Sequence, residues 1–307
     1  MNALRNHLED YLTMRRALGF KLERAGALLA QFVTFAEEAG ADVCTVELAL
    51  AWGRLPVGAS PIWVARRLEV VRCFARHLAV LDPANEVVPS DLFAVRVTRR
   101  TPYLYSPEEI AALIEAARQL KNPVKAATFE TLVGLLACTG LRAGEAMRLN
   151  RADFDAEHAL LTVRNSKFNK SRQVLLHSTT VDALRRYGRR RDELCPSRRT
   201  SALFLSSTGA RLSHPVLQPT FVGLLRESGV GRSAPRRPTV HDLRHSFTVA
   251  TLVRWYRDGG DVAVRMPALS TYLGHVNPSS TYWYLSASSE LLRRAADRLE
   301  AAFGAGR

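Results

Sequence analysis

The sequence predicts a mainly α protein with a small β-sheet or hairpin, an α+β arrangement in two domains. Three observations carry this. Apolar residues recur at helical spacing through most of the chain, in segments that open and close on capping residues. Two short runs, 160–163 and 173–176, read as strands around a polar segment, 164–172, that is long for a hairpin loop. The helical pattern breaks at Asp82-Pro83, passes through an arginine-bearing stretch without periodicity, and restarts on a capping box, which sets domains at 1–94 and 106–307 with a linker over 95–105. A chain of 307 residues is long enough for two cores.

In the first domain, Leu4, Leu8, Tyr11 and Leu12 repeat near every 3.6 residues, and Gly19 suits the position just past a helix end. A second helix runs over 23–38, with Leu28, Leu29, Phe32, Val33 and Phe35 on or near one face, and ends by Gly40. A short helix over 47–53 follows. A longer one over 61–80 starts at Ser60-Pro61, an N-cap and first-turn pair. Arg66, Arg67, Arg72 and Arg76 on that helix are either a solvated face or a row along a phosphate backbone; the sequence leaves both open. The linker carries Arg96, Arg99 and Arg100. Ser106-Pro107-Glu108-Glu109 then opens the second domain, with helices over 107–120, 123–138 and 143–149, the two strands, a helix over 179–193, a third strand over 202–206, and mostly helix from Pro215 onward. The last helix, 289–303, has a stripe of Leu291, Leu292, Ala295, Leu299 and Phe303 that packs either on its own chain or on a neighbour.

Charge narrows the function. The formal net charge is +14, and residues 101–307 hold 30 basic against 18 acidic side chains. Such a surface condenses on polyanions by releasing their counterions, which favours nucleic acid as partner. Arginine supplies 38 of the 43 basic residues, so any one arginine carries little weight and any one lysine carries more. Cys44, Cys73, Cys138 and Cys195 are spread without a C-x-x-C pair, which argues against zinc and disulfides and for buried, reduced thiols. No apolar run approaches the ~18–20 residues that span a bilayer, and the N-terminus reads as an amphipathic helix rather than a signal peptide. A cytoplasmic protein with no membrane partner is expected.

One set of residues points to chemistry. Thr139-Gly140-Leu141-Arg142 precedes Glu145; Lys167 lies between the strands; His241-Asp242-Leu243-Arg244-His245 follows; Leu273-Gly274-His275 comes about thirty residues later; and Tyr284 stands nine beyond His275. A phenol is ionised to only about one part in a thousand at neutral pH, so a tyrosine nucleophile needs cations and a base around it. Guanidinium forks suit the two non-bridging oxygens of a phosphate as negative charge builds on them. Tyr282 competes with Tyr284, but residues two apart on a helix point roughly 200° from each other, so one pocket takes one of them. Glu145, one turn after Arg142, either orients that arginine or forms a surface pair. No carboxylate cluster of the kind that holds Mg²⁺ is visible, so no metal and no cofactor are expected.

These motifs, from Thr139 to Ser286, resemble those of the tyrosine recombinase (phage integrase) family. The resemblance implies a helical N-terminal core-binding domain, a mixed catalytic domain of the tyrosine recombinase type, and a clamp on double-stranded DNA. It implies Tyr284 as nucleophile, Arg142 and Arg244 on the phosphate, and Lys167 as the general acid on the leaving oxygen. His241 is expected to take the phenol proton, His275 to donate to a non-bridging oxygen, and His245 to pack or orient the others. Arg66, Arg67, Arg72, Arg76, Arg99, Arg100, Lys170 and Arg172 are the expected DNA contacts. The resemblance further implies a 3′-phosphotyrosine intermediate and a homotetramer on two duplexes, with related recombinases as further partners left open. Two alternatives stay beside it: a topoisomerase of type IB, and an inactive DNA-binding accessory subunit.

Overall fold

The computed structural model describes residues 3–55, 57–92, 101–164, 171–196, 200–275, 277–286, 291–293 and 296. The chain divides into two compact units, residues 1–100 and 101–307. Among the described residues the first holds four helices, α1 (Ala3–Ala17), α2 (Glu23–Glu38), α3 (Val46–Arg54) and α4 (Pro61–Leu81). Their boundaries follow local chemistry. Gly19 turns the chain at φ +86° after α1. The Thr45 side chain accepts from the Leu48 N–H, and the Ser60 side chain accepts from Trp63 at the start of α4. Leu4, Leu8, Leu29, Phe32, Trp52, Leu68 and Phe74 bury together as the core.

Two of the four arginines on α4 depart from both sequence readings. Arg67 is 6% exposed; its guanidinium sits 3.6 Å over the Trp52 ring and donates to the Trp52 carbonyl at 2.8 Å. Arg72 is 7% exposed and donates to the carbonyls of Val88 and Pro89 at 2.7 and 2.9 Å. Buried charges need such partners, and these guanidiniums are tied into the fold rather than offered to a phosphate. Arg66 and Arg76 are exposed. Arg99 and Arg100 lie outside the described residues.

The second unit opens with α5 (Pro107–Arg118), whose capping box has both halves: Glu109 N–H donates to Ser106 Oγ at 3.2 Å, and Ser106 N–H to Glu109 Oε2 at 2.9 Å. Next come α6 (Pro123–Thr139) and α7 (Ala143–Arg148), then strands β1 (Phe154–Asp155), β2 (Leu160–Val163) and β3 (Arg172–Leu175), paired antiparallel in that order with Leu161 opposite Val174. Helices α8 (Ser178–Leu194), α9 (His214–Ser228), α10 (Val240–Arg257), α11 (Val262–Leu273) and the single turn α12 (Ser279–Tyr282) complete it, with a 3-10 turn over Trp283–Ser286. Phe129, Leu132, Leu136, Leu161, Phe204, Phe221 and Leu243 bury in one core that joins the sheet to α6, α9 and α10.

The third strand is 154–155, not 202–206. The latter segment is buried but pairs only through isolated bridges, Asn150 with Ala202 and Leu205 with Arg211. Burial made it look strand-like; its partners are loops. Residues 101–105, read as linker, pack into the second unit. Tyr105 is buried, and the N–H groups of Tyr103 and Tyr105 donate to Asp242 and Ser246 of α10 at 3.3 and 2.8 Å. None of the four cysteines is in a disulfide, and Cys44 alone is fully buried. Most of the expected 289–303 helix lies outside the described residues. No helix among the described residues is long and apolar enough to cross a membrane.

Candidate active site

The site forms where the C-terminus of α6, the start of α7, strand β3, helix α10 and the segment after α11 converge. Gly140 caps α6 at φ +61°, and a Cβ there would stand 2.5 Å from Phe247. Only glycine meets both demands. Its carbonyl then accepts from Arg244 Nη1 at 2.7 Å. Arg244 also donates through Nη2 to Leu273 O at 2.8 Å and contacts His275 Nε2 at 2.9 Å. The side chain is 1% exposed. Burial, and then the nearby Arg142 charge, lower its pKa to about 10, which leaves it cationic at neutral pH.

Arg142 stands at the N-cap of α7. Its Nη1 donates to Glu145 Oε1 at 2.8 Å and its Nη2 to Gly274 O at 3.2 Å. The Arg142 N–H donates to Glu145 Oε2 at 3.0 Å, so the carboxylate holds both ends of this residue. Glu145 is buried and its second partner is Arg172, which donates through Nη1 and Nη2 at 3.1 and 2.9 Å. Burial pushes the carboxyl pKa up, but the hydrogen bonds and charge of Arg172, and then Arg142, outweigh it and bring it down to about 2. Glu145 is therefore ionised at neutral pH, and it is buried against Arg142 rather than forming a surface pair.

Arg172 is a further departure. The sequence reading sets it among DNA contacts, but its side chain is 11% exposed and bonded on three sides, with Nε donating to Tyr272 O at 2.7 Å. No local pattern marks it, since its partners lie 27 and 100 residues away.

Tyr284 is 3% exposed, whereas Tyr282 is 48% exposed. The Tyr284 hydroxyl meets His245 Nδ1 at 2.9 Å. His241, expected to take that proton, instead stands edge-on to His245 with ring centroids 4.8 Å apart and is exposed. The two histidines are one turn apart on α10, so both face the same way, and His245 is the one that reaches the phenol. Burial raises the Tyr284 pKa, against the lowering pull of the nearby Arg244 guanidinium, the Thr248 hydroxyl and the Arg142 charge. The phenol is protonated at neutral pH. Burial, and then His241, bring His245 down to about 4, so its imidazole is neutral and able to accept a proton.

His275 also departs from its expected role. An arginine N–H can only donate, so His275 Nε2 facing Arg244 is an acceptor. In the neutral ring the proton then sits on Nδ1, which donates to the buried Thr281 hydroxyl at 2.7 Å. Burial, followed by Arg244, Arg142 and Arg172, holds its pKa at about 4. In this arrangement His275 braces Arg244 and has no Nε2 proton to offer a phosphate. Thr281 and Thr248 escaped the sequence reading, because threonines three before a tyrosine or four after an arginine are common. Lys167 and Lys170 lie outside the described residues.

The site brings together a buried phenol, a neutral imidazole hydrogen-bonded to it and two nearby guanidiniums, the kinds of group that activate a hydroxyl and stabilise an anion. Comparison with known proteins places that class. Residues 104–290 match the phage integrase family. The chain is 43% identical over 307 residues, 98% of each chain, to a putative integrase/recombinase, y4rB, of Sinorhizobium fredii. It is 28% identical over 240 residues to the tyrosine recombinase XerC of Alcanivorax borkumensis, covering 78% of this chain and 74% of that one. Among solved structures, the Tn1549 transposon integrase in complex with transposon right end DNA aligns over 98% of this chain and 99% of that one, with TM-score 0.66 at 17% identity. The XerA recombinase aligns over 97% and 98%, with TM-score 0.52 at 24% identity. The chain belongs to the phage integrase family, the tyrosine recombinases.

Proposed function

We propose that this protein is a site-specific recombinase that cuts and rejoins double-stranded DNA through a 3′-phosphotyrosine on Tyr284, with neither metal nor nucleotide cofactor. The observation that carries this reading is the Tyr284 hydroxyl at 2.9 Å from His245 Nδ1, in a site where His275, whose ring stacks toward Tyr284, contacts Arg244. The Tyr284 oxygen attacks the scissile phosphorus as its proton passes to His245. A P–O bond to tyrosine forms, the P–O5′ bond breaks, and the 5′-oxygen takes a proton from Lys167. Arg142 and Arg244 hold the non-bridging oxygens; losing one such donor costs about 3–4 kcal/mol of transition-state stabilisation. A 5′-hydroxyl from a partner duplex then reverses the steps, so the ester bond is conserved and no nucleotide is consumed. At 3% exposure Tyr284 receives the phosphate only after its 3-10 turn shifts.

Four copies would act on two duplexes in the cytoplasm, the first unit serving as a core-binding domain. The solved Tn1549 integrase and a lambda integrase dimer are both bound to DNA, which supports duplex DNA as substrate here. The test selects bound duplexes from a randomised pool, nicks them near the cut, and looks for an SDS-resistant adduct. An adduct on the 3′ side, absent in Tyr284→Phe, is expected. A Tyr284→Phe protein that still forms the adduct ends the assignment. Exchange between two such sites, without relaxation of supercoiled DNA lacking them, separates a recombinase from a topoisomerase.

A further inference from the structure

We infer that Arg172 is a positioning residue that sets Arg142 for catalysis, and that it holds Arg142 by two separate contacts. The inference rests on the reading of Tyr284 as nucleophile. The first contact runs through Glu145: Arg172 Nη1 and Nη2 each donate to one carboxylate oxygen, at 3.1 and 2.9 Å, and Glu145 Oε1 in turn accepts from Arg142 Nη1 at 2.8 Å. The second runs through Gly274. Arg172 Nε donates to Tyr272 O, and its guanidinium lies against Gly274, where a Cβ would stand 2.8 Å from Nη1. The carbonyl of that same Gly274 accepts from Arg142 Nη2 at 3.2 Å. One guanidinium thus fixes both acceptors that hold Arg142.

Arg172 is suited to this and not to DNA. Its side chain is 11% exposed, against 29% for Arg142, so Arg142 is the one left open to an incoming phosphate. Its fork is spent on a buried carboxylate, which would be left with Arg142 as its one cationic partner among the described residues if Arg172 turned outward. Strand β3, which begins at Arg172, is the return strand of the hairpin whose connection carries Lys167. The seat of Arg172 therefore pins that hairpin to α7 and to the Leu273-Gly274-His275 turn together, linking the general acid's strand to the phosphate-binding arginine.

The experiment measures single-turnover cleavage and DNA binding for wild type, Arg172→Ala, Arg172→Lys, Glu145→Gln, and Arg172→Ala with Glu145→Gln. The circular dichroism melt of each variant checks folding. Misplacing a catalytic group by about 1 Å costs on the order of 10²-fold. Arg172→Ala is expected to cleave about 10²-fold more slowly while its DNA affinity stays within threefold. The salt dependence of binding stays at the wild-type slope, whereas loss of a phosphate contact would reduce that slope by about 1. Arg172→Lys keeps the charge but not the fork and recovers only part of the rate. The double variant is no slower than the slower single one, because both act through Arg142. With Arg172 gone, the buried Glu145 protonates more readily, so the rate of Arg172→Ala falls off on the acid side at higher pH than wild type. Cleavage by Arg172→Ala at the wild-type rate, or a rate loss accounted for by weaker binding with a smaller salt slope, overturns the inference alone. A wild-type protein that makes no adduct at Tyr284 overturns the functional reading and this inference with it.

Discussion

Replacing His245 with alanine tests the imidazole hydrogen-bonded to Tyr284 against its neighbour one turn away. His245 Nδ1 is 2.9 Å from the phenol oxygen, within the range a general base needs. Burial keeps this imidazole near pKa 4 and so neutral at pH 7, while burial raises the phenol above its ordinary value. A phenol at its ordinary value is ionised about one part in a thousand at neutral pH, and Tyr284 less than that. An unassisted attack would wait on that small fraction. Loss of a positioned base costs ~10²–10⁴-fold, about 3–5 kcal/mol in activation free energy. The His245→Ala rate should then rise about tenfold per pH unit from pH 7 to 9, as hydroxide does the work of the base, while the wild-type rate stays nearly flat. His241→Ala should lose far less, since His241 touches His245 and not the phenol. Single-turnover cleavage of a nicked duplex, quenched over this pH range, gives both numbers. A His245→Ala rate within threefold of wild type, or a larger loss in His241→Ala, refutes the assignment of the base.

Gly274→Ala must hold a left-handed backbone at φ +68° and push a Cβ into Arg172; at roughly 1–2 kcal/mol for the backbone alone, the melting temperature should drop by several degrees and cleavage by more than tenfold. Thr281→Val removes the acceptor that holds the His275 proton on Nδ1; ¹⁵N imidazole shifts should show loss of the single tautomer, with stability lower by about 1 kcal/mol. His245 and His275 have folded pKa values near 4, below the ordinary 6.5. Between those values the unfolded chain binds more protons, so stability falls as pH drops from 6.5 to 4, by on the order of 2–3 kcal/mol per histidine. Urea melts across that window, with His245→Asn showing a shallower slope than wild type, check it.

What could be read from the chain is what local chemistry decides. Ser60-Pro61 and Ser106-Pro107-Glu108-Glu109 start α4 and α5 because a cap needs only the next three residues. Arg142, Glu145, Arg244, His275 and Tyr284 are found together because short motifs carry them. Which histidine meets the phenol was not legible: residues four apart on a helix share a face, and only the fold brings His245 Nδ1 to the Tyr284 hydroxyl. The Arg172 seat was hidden for a similar reason, as two partners distant in sequence define it. Arg67 and Arg72 misled because an arginine read by charge alone looks solvated, while Trp52 and the Val88 and Pro89 carbonyls bring them inside. The 202–206 segment showed the limit of apolar runs: burial was correct, pairing was not.

Mass spectrometry of the trapped protein–DNA adduct identifies the side chain that carries the DNA. Trypsin releases residues 266–293 as one peptide containing Tyr272, Tyr282 and Tyr284, and fragmentation assigns the nucleotide among them. The phosphodiester is expected on Tyr284 alone, joined through a DNA 3′-phosphate. Attachment to exposed Tyr282, to Tyr272 or to any residue outside this peptide would contradict it.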